Sequence, residues 1–247
     1  MKTSIIIRTR NEEKWIGKVL KKLFQQTEKD FEIIIVDSGS TDKTLEIAAK
    51  FNTQVLQINA EDFTYPYALN VGAESSKATD YLVLLSAHSL PVSDTWLTSG
   101  IKHMDSDKKV MGVYGPLLAL PDGTLWDKFH YGRWYVCEYV RMFPKQYRKI
   151  EKGGAGVLGF TNAIVRKDLW EKYKFNEAFA NGGEDGDWVE YWFKRGYYVI
   201  KDIYFTVHHS HYLDFSGWKK QFEMWGSLDK PQPFKRQLFR KDGPHKE

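Results

Sequence analysis

Ser86-Ala87-His88 follows directly on Tyr81-Leu82-Val83-Leu84-Leu85, a short apolar run without helical spacing that reads as a fully buried strand. Pro91 stops that strand from continuing through a sheet interior. The polar residues after it are therefore delivered to the carboxyl edge of a sheet, where open α/β sheets bind ligands. Asp37 ends a second buried run, Glu32 to Val36, and opens the turn Asp37-Ser38-Gly39-Ser40-Thr41-Asp42. A carboxylate there can accept hydrogen bonds from a ribose or a base edge, or it can cap its own turn. Glu184, Asp185 and Asp187 stand among Gly182, Gly183 and Gly186. That glycine density suits a loop approaching a ligand closely, whereas the acids alone would also suit a helix start. His209 and His211 alternate, so on an extended segment both share a face and His208 points elsewhere.

These groups need a sheet to hold them, and the first half of the chain writes one. Ile5 to Ile7 is a buried strand ending in Arg8-Thr9-Arg10. Asn11 is expected to cap a helix with Glu12 and Glu13 in its first turn and a stripe of Trp15, Ile16, Val19, Leu20, Leu23 and Phe24. A second helix is expected over 43–51, with Leu45, Ala48 and Ala49 inward, then a strand over 55–58 and a helix over 66–75. After the Tyr81 strand, Ser93 opens a helix carrying Trp96, Leu97, Ile101 and Met104; Val110 to Tyr114 is a strand, and Pro121-Asp122-Gly123 a turn. Strand and helix alternating in this way imply parallel pairing with right-handed crossovers, half of a nucleotide-binding fold. No G-x-G-x-x-G follows the first strand and no P-loop occurs. Phosphates would then be neutralised by side chains or by a metal.

From Trp126 the composition changes. Trp126, Phe129, Tyr131, Trp134, Tyr135, Tyr139, Phe143 and Tyr147 crowd a helix interleaved with Arg133, Arg141 and Arg148. Such aromatics stack on sugar rings, but most of this band is expected to be core against the sheet. Gly153 to Gly156 follows, then a strand over 160–166, a helix over 184–195, short strands over 197–200 and 205–208, and a helix over 215–225. The tail carries Lys235, Arg236, Arg240 and Lys241 around Phe234, Leu238 and Phe239; it is either solvated or laid on a membrane surface.

At 42% hydrophobic and 15% aromatic, 247 residues can bury one large α/β core. The formal charge of +4 suits an anionic small ligand and is too weak to argue for nucleic acid. Cys137 is the only cysteine, which excludes an internal disulfide and a cysteine metal cluster. With no secretory pattern and no long apolar window, the expected location is cytoplasmic, with peripheral contact at the inner face of the membrane through the tail.

Ile5-Ile-Ile-Arg-Thr-Arg-Asn-Glu-Glu, Ile33-Ile-Ile-Val-Asp-Ser-Gly-Ser-Thr-Asp-Lys-Thr, Leu84-Leu-Ser-Ala-His, Phe160-Thr-Asn-Ala-Ile-Val-Arg-Lys-Asp-Leu-Trp and Gly183-Glu-Asp-Gly-Asp-Trp together resemble family 2 glycosyltransferases of the GT-A fold. His208-His-Ser-His resembles the rhamnosyltransferase-like branch. The resemblance implies a mixed, mainly parallel sheet flanked by helices in one domain over 1–226, followed by the basic tail 227–247. Residues 1–115 would be the nucleotide-sugar half and 116–226 the acceptor half. It further implies a uridine- or thymidine-diphosphate sugar donor, a hydroxyl acceptor on a surface glycan or glycolipid, and inversion at the anomeric carbon. Thr9, Arg10, Glu12, Asp37, Ser86 and His88 would meet the donor; Asp185 would be the general base with Glu184 beside it. A catalytically inactive relative that only binds a nucleotide sugar or a partner is the alternative. A sugar-phosphate nucleotidyltransferase is disfavoured, since Arg8-Thr9-Arg10-Asn11 lacks the glycine-rich loop of that chemistry.

The sequence departs from the family at Ser86-Ala87-His88, where Asp-x-Asp or a lone Asp is usual. An imidazole suits manganese better than magnesium, which prefers oxygen. His88, His209 and His211 are accordingly expected to hold a divalent cation against the diphosphate. The other reading is a neutral, hydrogen-bonding His88, with Arg or Lys on the phosphates.

Overall fold

The computed structural model describes residues 1–153, 156–180 and 182–226. The first half runs β1 (Thr3–Thr9), α1 (Ile16–Phe24), β2 (Phe31–Asp37), α2 (Thr44–Ala48), β3 (Gln54–Gln57), α3 (Tyr65–Glu74), β4 (Tyr81–Ser86), β5 (Leu90–Pro91), α4 (Trp96–Ser106) and β6 (Val110–Tyr114). It continues with β7 (Leu117–Leu118), α5 (Leu125–Met142), β8 (Tyr147–Ile150), β9 (Asn162–Arg166), α6 (Lys167–Lys172), α7 (Glu184–Phe193), β10 (Tyr198–Asp202), β11 (Val207–His208) and α8 (Phe215–Trp225).

The isoleucines of β1 set the layers, because alternate side chains of a strand face opposite ways. Ile5 and Ile7 join Ile33, Ile35, Val83 and Leu85 in a core closed by α1 and α4. Ile6 joins Ile34, Val36, Leu82 and Leu84 in a second core, closed by α3, α6 and α7. A sheet buried on both faces needs apolar residues at every position, which is why these strands read as continuous runs.

The main sheet has the order β3-β2-β1-β4-β9-β6-β10-β8. β3, β2, β1 and β4 are parallel; β9 runs antiparallel to both β4 and β6, and β8 antiparallel to β10. Register places Thr9 beside Asp37 and Arg8 beside Ser86, so the polar ends of three strands are level. Because β9 is threaded between β4 and β6, one sheet runs through both halves of the chain. A second sheet, β5-β11-β7, pairs His208 with Leu90 and so carries the histidine segment to the end of β4.

Several local expectations change. Asn11 caps no helix: its φ is +53° and its Oδ1 accepts from the Thr41 backbone N–H at 2.8 Å. Glu12 and Glu13 donate their backbone N–H groups to Thr44 and Asp42, so residues 11–13 are held by the turn after β2 and α1 starts only at Ile16. α2 stops at Ala48, leaving Ala49 exposed. The aromatic band is not core. Among its eight aromatics only Tyr131 is buried, because α5 packs over β7, β8 and the Ile203–Phe205 turn at the side of the main sheet. α5 itself ends at Met142, and Tyr147 begins β8. The basic tail lies outside the described residues. Among those described, no helix is long and apolar enough to cross a membrane.

Candidate active site

β1 is the central support of the site. Thr9 is buried at its end with its Oγ1 unpaired. Half-buried Arg10 makes no hydrogen bond or ion pair among the described residues, leaving a cation at the sheet edge open to an anion. Glu12 is buried; its Oε1 lies 2.7 Å from His88 Nδ1, and its Oε2 has no hydrogen-bond partner. Ser86 Oγ sits 3.5 Å from the same His88 nitrogen, at the outer limit of a hydrogen bond.

Asp37 is fully buried and serves its own turn: Oδ2 accepts from the Gly39 and Ser40 backbone N–H groups, and Oδ1 from the Ser40 hydroxyl. This is the turn-capping arrangement, and it shapes the rim of a recess of about 690 Å³ lined by Gly39, Gln57, Asn59, Ala60 and Glu61.

The histidines gather without forming the expected metal centre. His209 is buried, with Nδ1 3.2 Å from Ser89 Oγ, and its ring stacks on His88 at 4.5 Å and 22°. Ring lone pairs lie in the ring plane, and a metal sits about 2 Å from each nitrogen. Two nearly parallel stacked planes do not meet within that distance, so His88 and His209 cannot share one ion in this arrangement. His211 lies edge-on to His209 at 4.9 Å, and His208 turns away to the Ala119 carbonyl, 2.7 Å from its Nδ1. Among the described residues no three His, Cys, Asp or Glu side chains are placed to hold a metal. Burial, reinforced by the neighbouring His88, His211 and Arg8 charges, keeps the His209 imidazole neutral.

Glu184 and Asp185 open α7 behind Gly182 and Gly183, whose φ values of +117° and +101° only glycine adopts freely. Glu184 is buried and its Oε2 unpaired; Asp185 is half-buried and accepts from the Gly186 N–H at 2.7 Å. Burial pushes the Glu184 carboxyl well above the usual range, with the Asp185 charge adding to the shift. Burial raises Asp185 too, against the Gly186 N–H and the Arg8 charge. Asp187 is taken by the Tyr173 hydroxyl at 2.7 Å, a structural role.

Arg8 is the residue that sequence reasoning missed. Its guanidinium donates to the Phe160 carbonyl at 3.3 Å, stacks over Tyr65 at 5.0 Å, and acts electrostatically on Glu184, Asp185 and His209. Arg8 pairs in register with Ser86, so its charge is delivered at the adjoining ends of β1 and β4. The signal was available: a charged residue directly after three buried isoleucines must emerge at the ligand edge.

Cations at the ends of parallel strands, with a carboxylate pair behind a glycine-shaped loop at the start of α7, suit group transfer from an anionic donor. Comparison with known proteins agrees. Residues 4–174 match the family described as Glycosyl transferase family 2. The chain is 25% identical over 218 residues to the O-antigen chain rhamnosyltransferase RfbN of Salmonella typhimurium, covering 85% of this chain and 67% of that one. It is 37% identical over 113 residues to a dolichyl N-acetyl-glucosaminyl phosphate diacetamido-dideoxy-glucuronosyltransferase of Methanococcus voltae, covering 43% and 35%. The chain thus spans between about a third and two thirds of these relatives. Among solved structures, the mannosyltransferase PcManGT from Pyrobaculum calidifontis in complex with GDP-Man and Mn2+ is similar at a TM-score of 0.64 and 18% identity, covering 90% and 60%. S. aureus TarS 1-349 in complex with UDP-GlcNAc follows at 0.60 and 20%, covering 82% and 56%. These likenesses establish the GT-A architecture of the mixed, mainly parallel sheet. With strand order and sequence match in agreement, the chain belongs to the family 2 glycosyltransferases and is similar to their O-antigen rhamnosyltransferases.

Proposed function

We propose that this enzyme moves one sugar from a uridine- or thymidine-diphosphate donor to a hydroxyl of a surface glycan or glycolipid, with inversion, and that Asp185 is the general base. The observation that supports the proposal is Arg8, which stands opposite Ser86 at the end of β1 and whose charge acts on both Asp185 and His209. A base must lie within hydrogen-bond reach of the proton it removes, and its protonation must be tuned to the working pH. Asp185 is half-buried at the start of α7, and its raised carboxyl is the more basic for it. Glu184, buried beside it, positions it and shares its titration.

The recess beside the Asp37 turn is large enough for a nucleoside, and Asp37 acts by holding that turn. Arg10 would face the diphosphate. Of the described residues, the orphaned Glu12 Oε2 and the His88 imidazole are the oxygen–nitrogen pair that would hold a divalent cation, and such a pair suits manganese. When bound, such an ion offsets charge on the departing diphosphate. The named complexes of PcManGT with Mn2+ and of TarS with UDP-GlcNAc, and the O-antigen function of RfbN, support this choice of donor class, cation and acceptor class.

A thermal-shift screen of nucleotide sugars with and without manganese tests the reading, because a ligand that prefers the folded state raises its melting point. Stabilisation by UDP- or dTDP-sugars, followed by transfer to an added acceptor, is expected. Ser86, in the place of the usual acid, favours a second reading in which the protein binds without transferring. Donor stabilisation with neither hydrolysis nor transfer would select it.

A further inference from the structure

α5 faces the wrong way for a core helix. Leu125, Phe129, Gly132, Val136, Val140 and Phe143 follow one another at intervals of four and three, the spacing of a single helix face. That face points to solvent: Leu125 is 82% exposed, Phe129 54%, Val136 60%, Val140 66% and Phe143 69%. The opposite face is well occupied. Tyr131 packs edge-on to Trp218 at 5.4 Å and to His209 at 6.3 Å, and the Thr124–Asp127 capping box fixes the start of the helix. An apolar stripe of this length on an otherwise packed helix marks an interaction surface.

Its charges name the partner. Lys128 and Arg133 flank the stripe and are exposed. Both acids of the helix are withdrawn: Asp127 is buried against Trp218 and the Tyr212 backbone N–H, and Glu138 is buried against Arg148, Lys201 and Arg141. The exposed side of α5 therefore carries apolar and cationic groups and no acid. A second copy of the same stripe would set like charges against one another with no acid to pair them. A helix bearing aromatics and aliphatics between cations fits an anionic lipid surface, into which such a face sinks as far as the headgroup and acyl boundary.

We propose that α5 docks this protein on anionic bilayers through Leu125, Phe129, Val136, Val140 and Phe143, with Lys128 and Arg133 against lipid phosphates. The opposite face of the same helix touches His209, so docking sets the cleft one helix thickness from the lipid, about 10 Å. The inference rests on α5 alone and is independent of whether transfer occurs.

Flotation of the full chain with phosphatidylcholine vesicles, with and without phosphatidylglycerol, tests it. Binding is expected only to the anionic vesicles, and is expected to weaken with added salt. The variant Phe129→Ser/Val136→Ser/Val140→Ser, checked by circular dichroism and melting, should lose at least about tenfold in partitioning. Lys128→Glu/Arg133→Glu, at two exposed side chains, should lose a comparable amount and serves if the first variant misfolds. Equal binding to neutral vesicles, or no binding to either kind, would overturn the proposal. So would full binding by both variants, which would assign the membrane contact to the basic tail. A dimer in solution that the triple variant dissolves would make the stripe a self-contact instead.

Discussion

Glu12 Oε1 and His88 Nδ1 stand 2.7 Å apart, joining the segment after β1 to the end of β4. The family's usual acid is missing at Ser86, yet a carboxylate still reaches the strand end, from the other side of the cleft. The pair is nearly enclosed, with 14% of the His88 side chain and 9% of the Glu12 side chain exposed. His88→Ala would strand both Glu12 oxygens in a buried place. A buried acceptor left unsatisfied costs about 1–3 kcal/mol. Urea denaturation should show that loss in the midpoint with an unchanged slope; an unaltered midpoint would mean the contact is incidental.

Glu184 has the opposite balance. Its carboxyl is raised by burial, so the folded state holds the proton more tightly than the unfolded state. Stability is then full at low pH, falls as pH rises above the ordinary glutamate value of 4.5, and levels off above the folded value. Glu184→Gln has no proton to lose. Its melting point should match the parent in acid and exceed it increasingly as pH rises, and a gap that closes with rising pH would reverse the assignment.

Arg8 tunes the same pair. Its charge lowers both carboxyls against the larger effect of burial. In Arg8→Gln the acid limb of the single-turnover transfer rate should move to higher pH, because the base then keeps its proton longer. A limb that stays in place would remove Arg8 from the electrostatics of the base.

Arg10 stands just past the end of β1 and makes no hydrogen bond or ion pair among the described residues. Charge-assisted hydrogen bonds contribute about 1.5–3 kcal/mol, so Arg10→Ala should weaken donor binding roughly tenfold to hundredfold. The salt dependence of binding should also become shallower. Calorimetric titration with the nucleotide diphosphate alone would show both, and unchanged affinity would place the phosphates elsewhere.

The strands were legible because burial on both faces leaves a continuous apolar signature: Val110–Tyr114 emerges within its expected bounds, as does the helix Phe215–Trp225. Local contests were not legible. Asn11 looks like a cap, but a left-handed turn lets it bind the Thr41 N–H, and nothing nearby in sequence announces that partner. The α5 band was misread for a physical reason as well. Aromatic content predicts burial only when a surface is free to receive it, and the faces of the main sheet were already covered by α1, α3, α4, α6 and α7. For the site, alternation correctly separated His208 from His209 and His211, but it carries no information about ring orientation. The stacking of His209 on His88, which defeats a shared metal, is a tertiary fact.

The account depends on an acceptor hydroxyl losing its proton to one carboxylate at the start of α7. Single-turnover transfer by Asp185→Asn, paired with calorimetric donor binding, addresses that step directly. Loss of a positioned general base typically costs about 10²–10⁴-fold. The expected result is a rate reduced by that factor with donor affinity unchanged. Transfer at the parental rate in Asp185→Asn would contradict it.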